Sequence, residues 1–209
     1  MGEKSYGCCA CIGAAGVAVM PISAVMAAKD GLRINHLMSG RVDFDGFGIE
    51  IKTDYPYGES AEIKIVAAPN KPISLGIRIP EFAKGKMTVN GEIAKSDGYG
   101  YNLITKAWSV GEVISVTVPR EVRLHELNKK VALTKGVIAF ALDERCQDIN
   151  VKVGGGIVSH KTVKIPFTAR EALEVKFEDG GNVLFTDFAS AGSEWDKDKN
   201  NITVWIDKE

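Results

Sequence analysis

The sequence predicts a mainly β protein: two antiparallel β-sandwich or jelly-roll-like modules preceded by one apolar N-terminal helix. Three observations carry that expectation. First, alternating or β-branched runs recur along the chain, as "GIEIK" (48–52), "AEIKIV" (61–66), "VISVTV" (113–118), "LEVKF" (173–177) and "ITVWI" (202–206). Second, Asp45-Gly46, Asn90-Gly91, Asp97-Gly98 and Asp179-Gly180 stand between such runs. Asn-Gly and Asp-Gly accept positive φ at low cost and so close tight hairpins. Third, only residues 9–28 read as a long helix, with Lys29-Asp30-Gly31 supplying a terminal cation and a glycine stop.

Taken in order, residues 1–30 form a helical lead, 31–125 a first sandwich and 126–209 a second. The polar stretch "LHELNKK" (124–130) is the best internal boundary. A helix apolar on all sides cannot bury itself on these sheets alone. It implies structure upstream, or a homo-oligomer formed through helix 9–28.

Charge and cysteine usage narrow the function classes. The net charge of -1 over 209 residues offers no basic field for nucleic acid or an anionic membrane. The four cysteines, Cys8, Cys9, Cys11 and Cys146, are too few and too clustered for a disulfide scaffold. A reducing, cytoplasmic location is the simpler expectation. Its rival is export: no charged residue occurs from Ser5 to Ala28, and "AVMAA" (24–28) resembles a signal-peptidase site. Against that, the stretch lacks Leu and Phe and is interrupted by Gly7, Gly13, Gly16 and Pro21. Tyr6 stands where a myristoylation signal needs Ser or Thr.

Few residues offer chemistry by spacing alone. A structural zinc site takes four ligands, commonly as two separated pairs, and "CCAC" (8–11) is a single cluster. His36, His125 and His160 have no ligand spacing, and Glu144-x-Cys146 lies far along the chain. Ligand, nucleophile and plain packing at a helix start all remain open for the cysteines. The acids Asp43, Asp45, Asp143, Glu144, Glu178 and Asp179 sit beside turns or strand ends. "GGG" (154–156) lacks the Lys-Ser/Thr of a phosphate loop and reads as a flexible turn. Among the aromatics, Tyr57 beside Pro56 and Trp195 in "AGSEWDKDKN" are candidate sugar-stacking platforms, whereas Trp108 and Trp205 are expected in the core.

Longer segments carry a family resemblance. "CC" (8–9), "DGLRIN" (30–35), "TDYPY" (53–57), "LGIRIPEF" (75–82), "VNGE" (89–92), "GYNLITKAWSVGEVISVTVP" (100–119), "TKGVIAFALD" (134–143) and "VWI" (204–206) occur in an order that resembles the C-terminal part of the bacterial beta-L-arabinofuranosidase family of glycoside hydrolases. The resemblance implies the last helix of a helical (α/α) barrel followed by β-sandwich domains. It also implies that Cys8 is a zinc ligand and the nucleophile, and Cys9 a second ligand. A zinc-held thiolate stays deprotonated and can form a covalent glycosyl intermediate.

The pattern departs at Ile12 and Ala15, where the family has Asn and Arg after the pair, and Cys11 is extra. The family's Glu-x-Cys element and acid/base precede the pair. Glu144-x-Cys146 matches that element in letters only. The expectation is a non-catalytic sandwich portion that is inactive alone. Zinc belongs to a full-length relative and no cofactor to this chain alone. An arabinose-containing glycan is the candidate small partner. The alternatives are a stand-alone carbohydrate-binding module, a self-assembling adaptor, or a small zinc protein built on Cys8, Cys9 and Cys146.

Overall fold

The computed structural model describes residues 7–192 and 201–209, with side chains from residue 11 onward. The chain divides into two compact units, 1–119 and 120–209. Among the described residues it is mainly β, with one α-helix, α1 (Gly7–Ala24), and a single 3-10 turn at Glu81–Ala83. No helix among the described residues is long and apolar enough to cross a membrane.

Unit 1 contains β1 (Val25–Ala28), β2 (Gly31–Ile34), β3 (Gly40–Phe44), β4 (Phe47–Thr53), β5 (Ser60–Ala67), β6 (Ile73–Arg78), β7 (Thr88–Val89), β8 (Glu92–Ile93), β9 (Tyr101–Lys106) and β10 (Val113–Thr117). They form two sheets, β1-β2-β6-β9 and β3-β4-β5-β10-β7-β8. The alternation read from the sequence decides the packing. Along β5, Ala61, Ile63 and Ile65 are buried while Ser60, Glu62 and Lys64 are exposed. Leu32, Leu75 and Ile77 of one sheet join Ile49, Ile63, Ile65, Ile114 and Val116 of the other in a single aliphatic core. Each such side chain contributes about 1.5–3 kcal/mol by leaving water. Trp108 is in this core as expected, and its indole N–H donates to the Ile73 carbonyl at 2.8 Å.

The helix is shorter than predicted. It ends at Ala24, and 25–28, expected as its last turn, are strand β1. The cause lies downstream: β1 pairs antiparallel with β2, so Lys29 and Asp30 become a hairpin turn instead of a helix stop. Gly31 is required there for a different reason, because a Cβ would lie 2.0 Å from the Ser74 carbonyl oxygen. That close approach lets β2 run parallel to β6, an exception in a mostly antiparallel fold.

Unit 2 contains β11 (Val122–Leu127), β12 (Lys130–Lys135), β13 (Ile138–Asp143), β14 (Lys152–Val153), β15 (Ile157–Thr162), β16 (Ala172–Phe177), β17 (Asn182–Asp187), β18 (Ile202–Thr203) and β19 (Ile206–Lys208). Its nine strands form one sheet around a core of Leu133, Phe140, Leu142, Leu173, Val175, Phe177 and Phe185. Strand β13 changes partner along its length, pairing with β12, then β17, then β18.

Three local expectations need correction. The stretch 124–130 is the β11–β12 hairpin, turned at Asn128 and Lys129, both at positive φ. "ITVWI" is broken into β18 and β19, and Trp205 between them is 39% exposed, outside the core. "GGG" is a fastened turn: the Gly154 N–H donates to Asp179 at 2.6 Å and the Gly156 N–H to Glu178 at 2.9 Å. Its donors are taken by the protein's own carboxylates.

Candidate functional site

Cys8 and Cys9 lie in the first turn of α1. Their side chains fall outside the described ones, as does all of Trp195. Further along the helix the side chains are clear. Cys11 is exposed, and Ile12, Val17, Val19, Met20 and Ile22 are each at least half exposed. At 100° per residue these five apolar positions spread around the whole helix rather than along one stripe. The described apolar side chains of α1 are therefore largely in water.

The far end of α1 is firmly moored. The Ser23 carbonyl accepts from the Asn35 side-chain amide at 2.8 Å, and the Ala24 carbonyl accepts from the Asn35 N–H at 2.8 Å. The Tyr101 hydroxyl donates to the Asn35 Oδ1 at 2.5 Å. Asn35 thus satisfies carbonyls that a helix end leaves open and ties them to β9. Asn35 and Tyr101 had no distinguishing signal in sequence beyond membership in the resembling segments. Next to this mooring, Pro21, Val25, Met38, Arg41, Val42 and Ile51 line a notch of about 150 Å³.

Tyr57 is half-buried in the loop between β4 and β5, with its N–H donating to the Asp54 carbonyl at 3.1 Å. Its neighbour Tyr55 packs against the core of unit 1.

Unit 2 holds a buried polar group that no sequence spacing revealed. Glu171 accepts from Arg120 and from Lys135, each at 2.5 Å. Asp187, fully buried, accepts from the Glu171 N–H at 3.0 Å and the Ser190 N–H at 3.1 Å. Asp143 accepts from the Arg145 guanidinium at 2.6 Å and the Gly192 N–H at 3.0 Å. Burial opposes the charge on Asp143, but the Arg145 and backbone donors outweigh it and hold its pKa below the ordinary value. Arg145 in turn lies 3.5 Å over the Phe167 ring.

Each acid is committed to fixed donors, the arrangement expected of a structural clamp. Burial and the Asp143 charge push the Cys146 thiol up, away from the thiolate form a metal or a nucleophile needs. Glu144 accepts instead from Asn201, at 2.8 Å. Among the described residues no group of three or more His, Cys, Asp or Glu is placed to hold a metal ion.

Comparison with known proteins follows the same division. Residues 31–120 match the family model described as beta-L-arabinofuranosidase, GH127 middle domain. No curated protein matches. Among solved structures, a GH127 beta-L-arabinofuranosidase from Geobacillus stearothermophilus T6 is 18% identical with a TM-score of 0.74, over 98% of this chain and 38% of that one. A GH127 beta-arabinofuranosidase is 17% identical with a TM-score of 0.70, over 89% of this chain and 36% of that one. A third, a glycoside hydrolase, is 19% identical with a TM-score of 0.77, over 98% and 40%. The chain therefore spans about two fifths of the length of the structures it matches. The resemblance read from the sequence is shown as a resemblance: residues 31–120 are similar to the GH127 middle domain, and nearly the whole chain has the fold of part of these solved structures.

Proposed function

We propose that this chain is the non-catalytic β portion of a GH127-type glycoside hydrolase, and that α1 is its docking element for a helical domain supplied in cis or in trans. The observation that carries this reading is the exposure of apolar side chains all around α1 while its C-terminal end is fixed by Asn35 and Tyr101. A helix of that kind is stable in water only when neighbours enclose it. Two neighbouring thiols fall short of the three or four ligands zinc takes, so the remaining ligands and the acid/base would come from the helical domain.

The expected outcome is no turnover of an aryl beta-L-arabinofuranoside by the chain alone, and turnover when it is refolded with the helical domain of a GH127 relative. Turnover by the isolated chain, abolished by Cys8→Ala, would overturn the reading. So would a well-folded complex with the helical domain that stays inactive.

Self-association through α1 is a second reading that the same exposed helix supports. It requires concentration-dependent mass in light scattering, and a clean monomer would dispose of it.

A further inference from the structure

The loop between β8 and β9 displays Tyr99 at 89% exposure, the largest value among the described exposed hydrophobics. An aromatic ring left in water on a loose loop would need no explanation, but this loop is not loose. The Asp97 carboxylate accepts from the N–H of Tyr99 at 2.8 Å and of Tyr101 at 3.1 Å. The Ser96 hydroxyl oxygen accepts from the N–H of Gly98 and of Gly100, each at 3.2 Å. The Asp97 N–H donates to the Tyr101 carbonyl at 2.9 Å. Gly98 and Gly100 hold φ of 95° and 90°, which side chains other than glycine resist. The backbone of the loop is thus fixed, and it carries the Tyr99 ring out into water.

The two glycines that flank Tyr99 line a cleft of about 410 Å³ with Ile79, Glu81, Lys84 and Ser96. Such a volume suits a small ligand. The chemistry of the cleft selects among ligand classes. Glu81 offers acceptors, Lys84 donors and Ser96 a hydroxyl, and Lys84 stands 3.9 Å from Glu81, so the pair is close to neutral. That composition gives no excess positive charge for phosphate and too little apolar wall for a lipid. It fits a neutral, hydroxyl-rich molecule with one flat apolar face.

We propose that the Tyr99 loop and this cleft form a carbohydrate-binding site, with the Tyr99 ring as the stacking platform and Glu81, Lys84 and Ser96 as hydroxyl partners. The residues of the site all belong to unit 1. Its preformed loop lowers the ordering cost of binding.

The test uses the full ¹⁵N-labelled chain titrated with arabino-, xylo- and cello-oligosaccharides, reading amide shifts. Saturable shifts of the Ser96–Gly100 amides are expected, with a Kd on the order of 1 mM. Tyr99→Ala should weaken binding about tenfold and Tyr99→Phe should keep it, because stacking needs the ring and not the hydroxyl. Both changes sit on an exposed loop tip, and unchanged shifts elsewhere check the fold. Absence of a response to every neutral sugar would overturn the proposal. So would binding indifferent to Tyr99→Ala, or a response only to inorganic phosphate. Tyr99-dependent capture of a protein with no saccharide response would make the loop a protein-docking tip and equally overturn it.

Discussion

The two β units solve the same problem with different materials. Unit 1 is closed mostly by aliphatic side chains, with Phe47 and Trp108 among them, and among its described residues Ser74 is the only buried polar one. Unit 2 buries Asp143, Glu171, Thr186, Asp187 and Ser190 beside a core of aliphatic side chains and three phenylalanines. An alternating strand needs only period two to find its inner face, so unit 1 is assembled from local signals. A buried carboxylate needs partners brought from distant parts of the chain. Arg120, Lys135 and Glu171 come from three separate segments and meet only in the folded unit. Such a network contributes specificity of arrangement at least as much as stability, and it is vulnerable when half removed.

The largest expected effect tests that vulnerability. Glu171→Ala leaves the Arg120 and Lys135 cations facing one another at 5% and 19% exposure. It should cost about 3–5 kcal/mol of unfolding free energy. Replacing all three residues by Met or Leu should cost less than the single change, because none of these three charges is then left without its mates. A triple variant weaker than Glu171→Ala in urea unfolding would mean that the ions stabilise unit 2 outright. The counterpart in unit 1 is Ile63→Ala at a fully buried site, with an expected loss of about 2–5 kcal/mol from transfer and cavity together. Here no second substitution should rescue, other than refilling the volume. Faster amide exchange in β4, β5 and β10 is the local readout.

The difference between the units also explains what the sequence disclosed. Alternation in β4, β5, β10 and β16 was legible because one face meets a core. Asp45-Gly46 and Asn90-Gly91 were legible because their positive φ has a residue signature. Asn128-Lys129 adopts the same turn without glycine, so its hairpin was read as a boundary. The end of α1 was misplaced because β1 is made by its partner β2, not by its own "VMAA". At the candidate sites, "CC" is one of several segments that together carry the resemblance, and its side chains lie outside the described ones. Glu171 and Asp187 gave no signal, and Asn35 and Tyr101 none beyond lying in resembling segments, since each takes its role from a neighbour many residues away.

A gentler probe of the polar unit is pH. The folded pKa of Asp143 lies below its ordinary value because the Arg145 and Gly192 donors outweigh the burial that opposes them. Its contribution to stability is therefore complete above the ordinary carboxylate range and is lost as pH falls through the folded pKa. Asp143→Asn should be less stable than the parent at neutral pH, and the gap should narrow on acidification below the ordinary carboxylate range. Asp30, Asp43, Asp97 and Glu112 of unit 1 also titrate low, but they are present in both proteins and cancel in the difference. A gap independent of pH would mean that Asp143 acts through packing or hydrogen bonds alone.

The smallest expected effect separates burial from pairing within one unit. Lys130 and Asp207 stand 2.7 Å apart across β12 and β19, but they are 49% and 56% exposed. Lys135 and Glu171 pair at 2.5 Å with 19% and 9% exposure. Both are lysine–carboxylate pairs of similar length, so Coulomb attraction in a uniform medium would rank them alike. Water screens the first pair and reaches the survivor when one partner is removed. Lys130→Ala should therefore cost no more than about 1 kcal/mol, and less in high salt. Lys135→Ala should cost several times as much and respond little to salt. Equal losses in urea unfolding at low and high salt would show that exposure does not divide the two pairs, and the contrast between an aliphatic unit and an ionic one would lose its energetic basis.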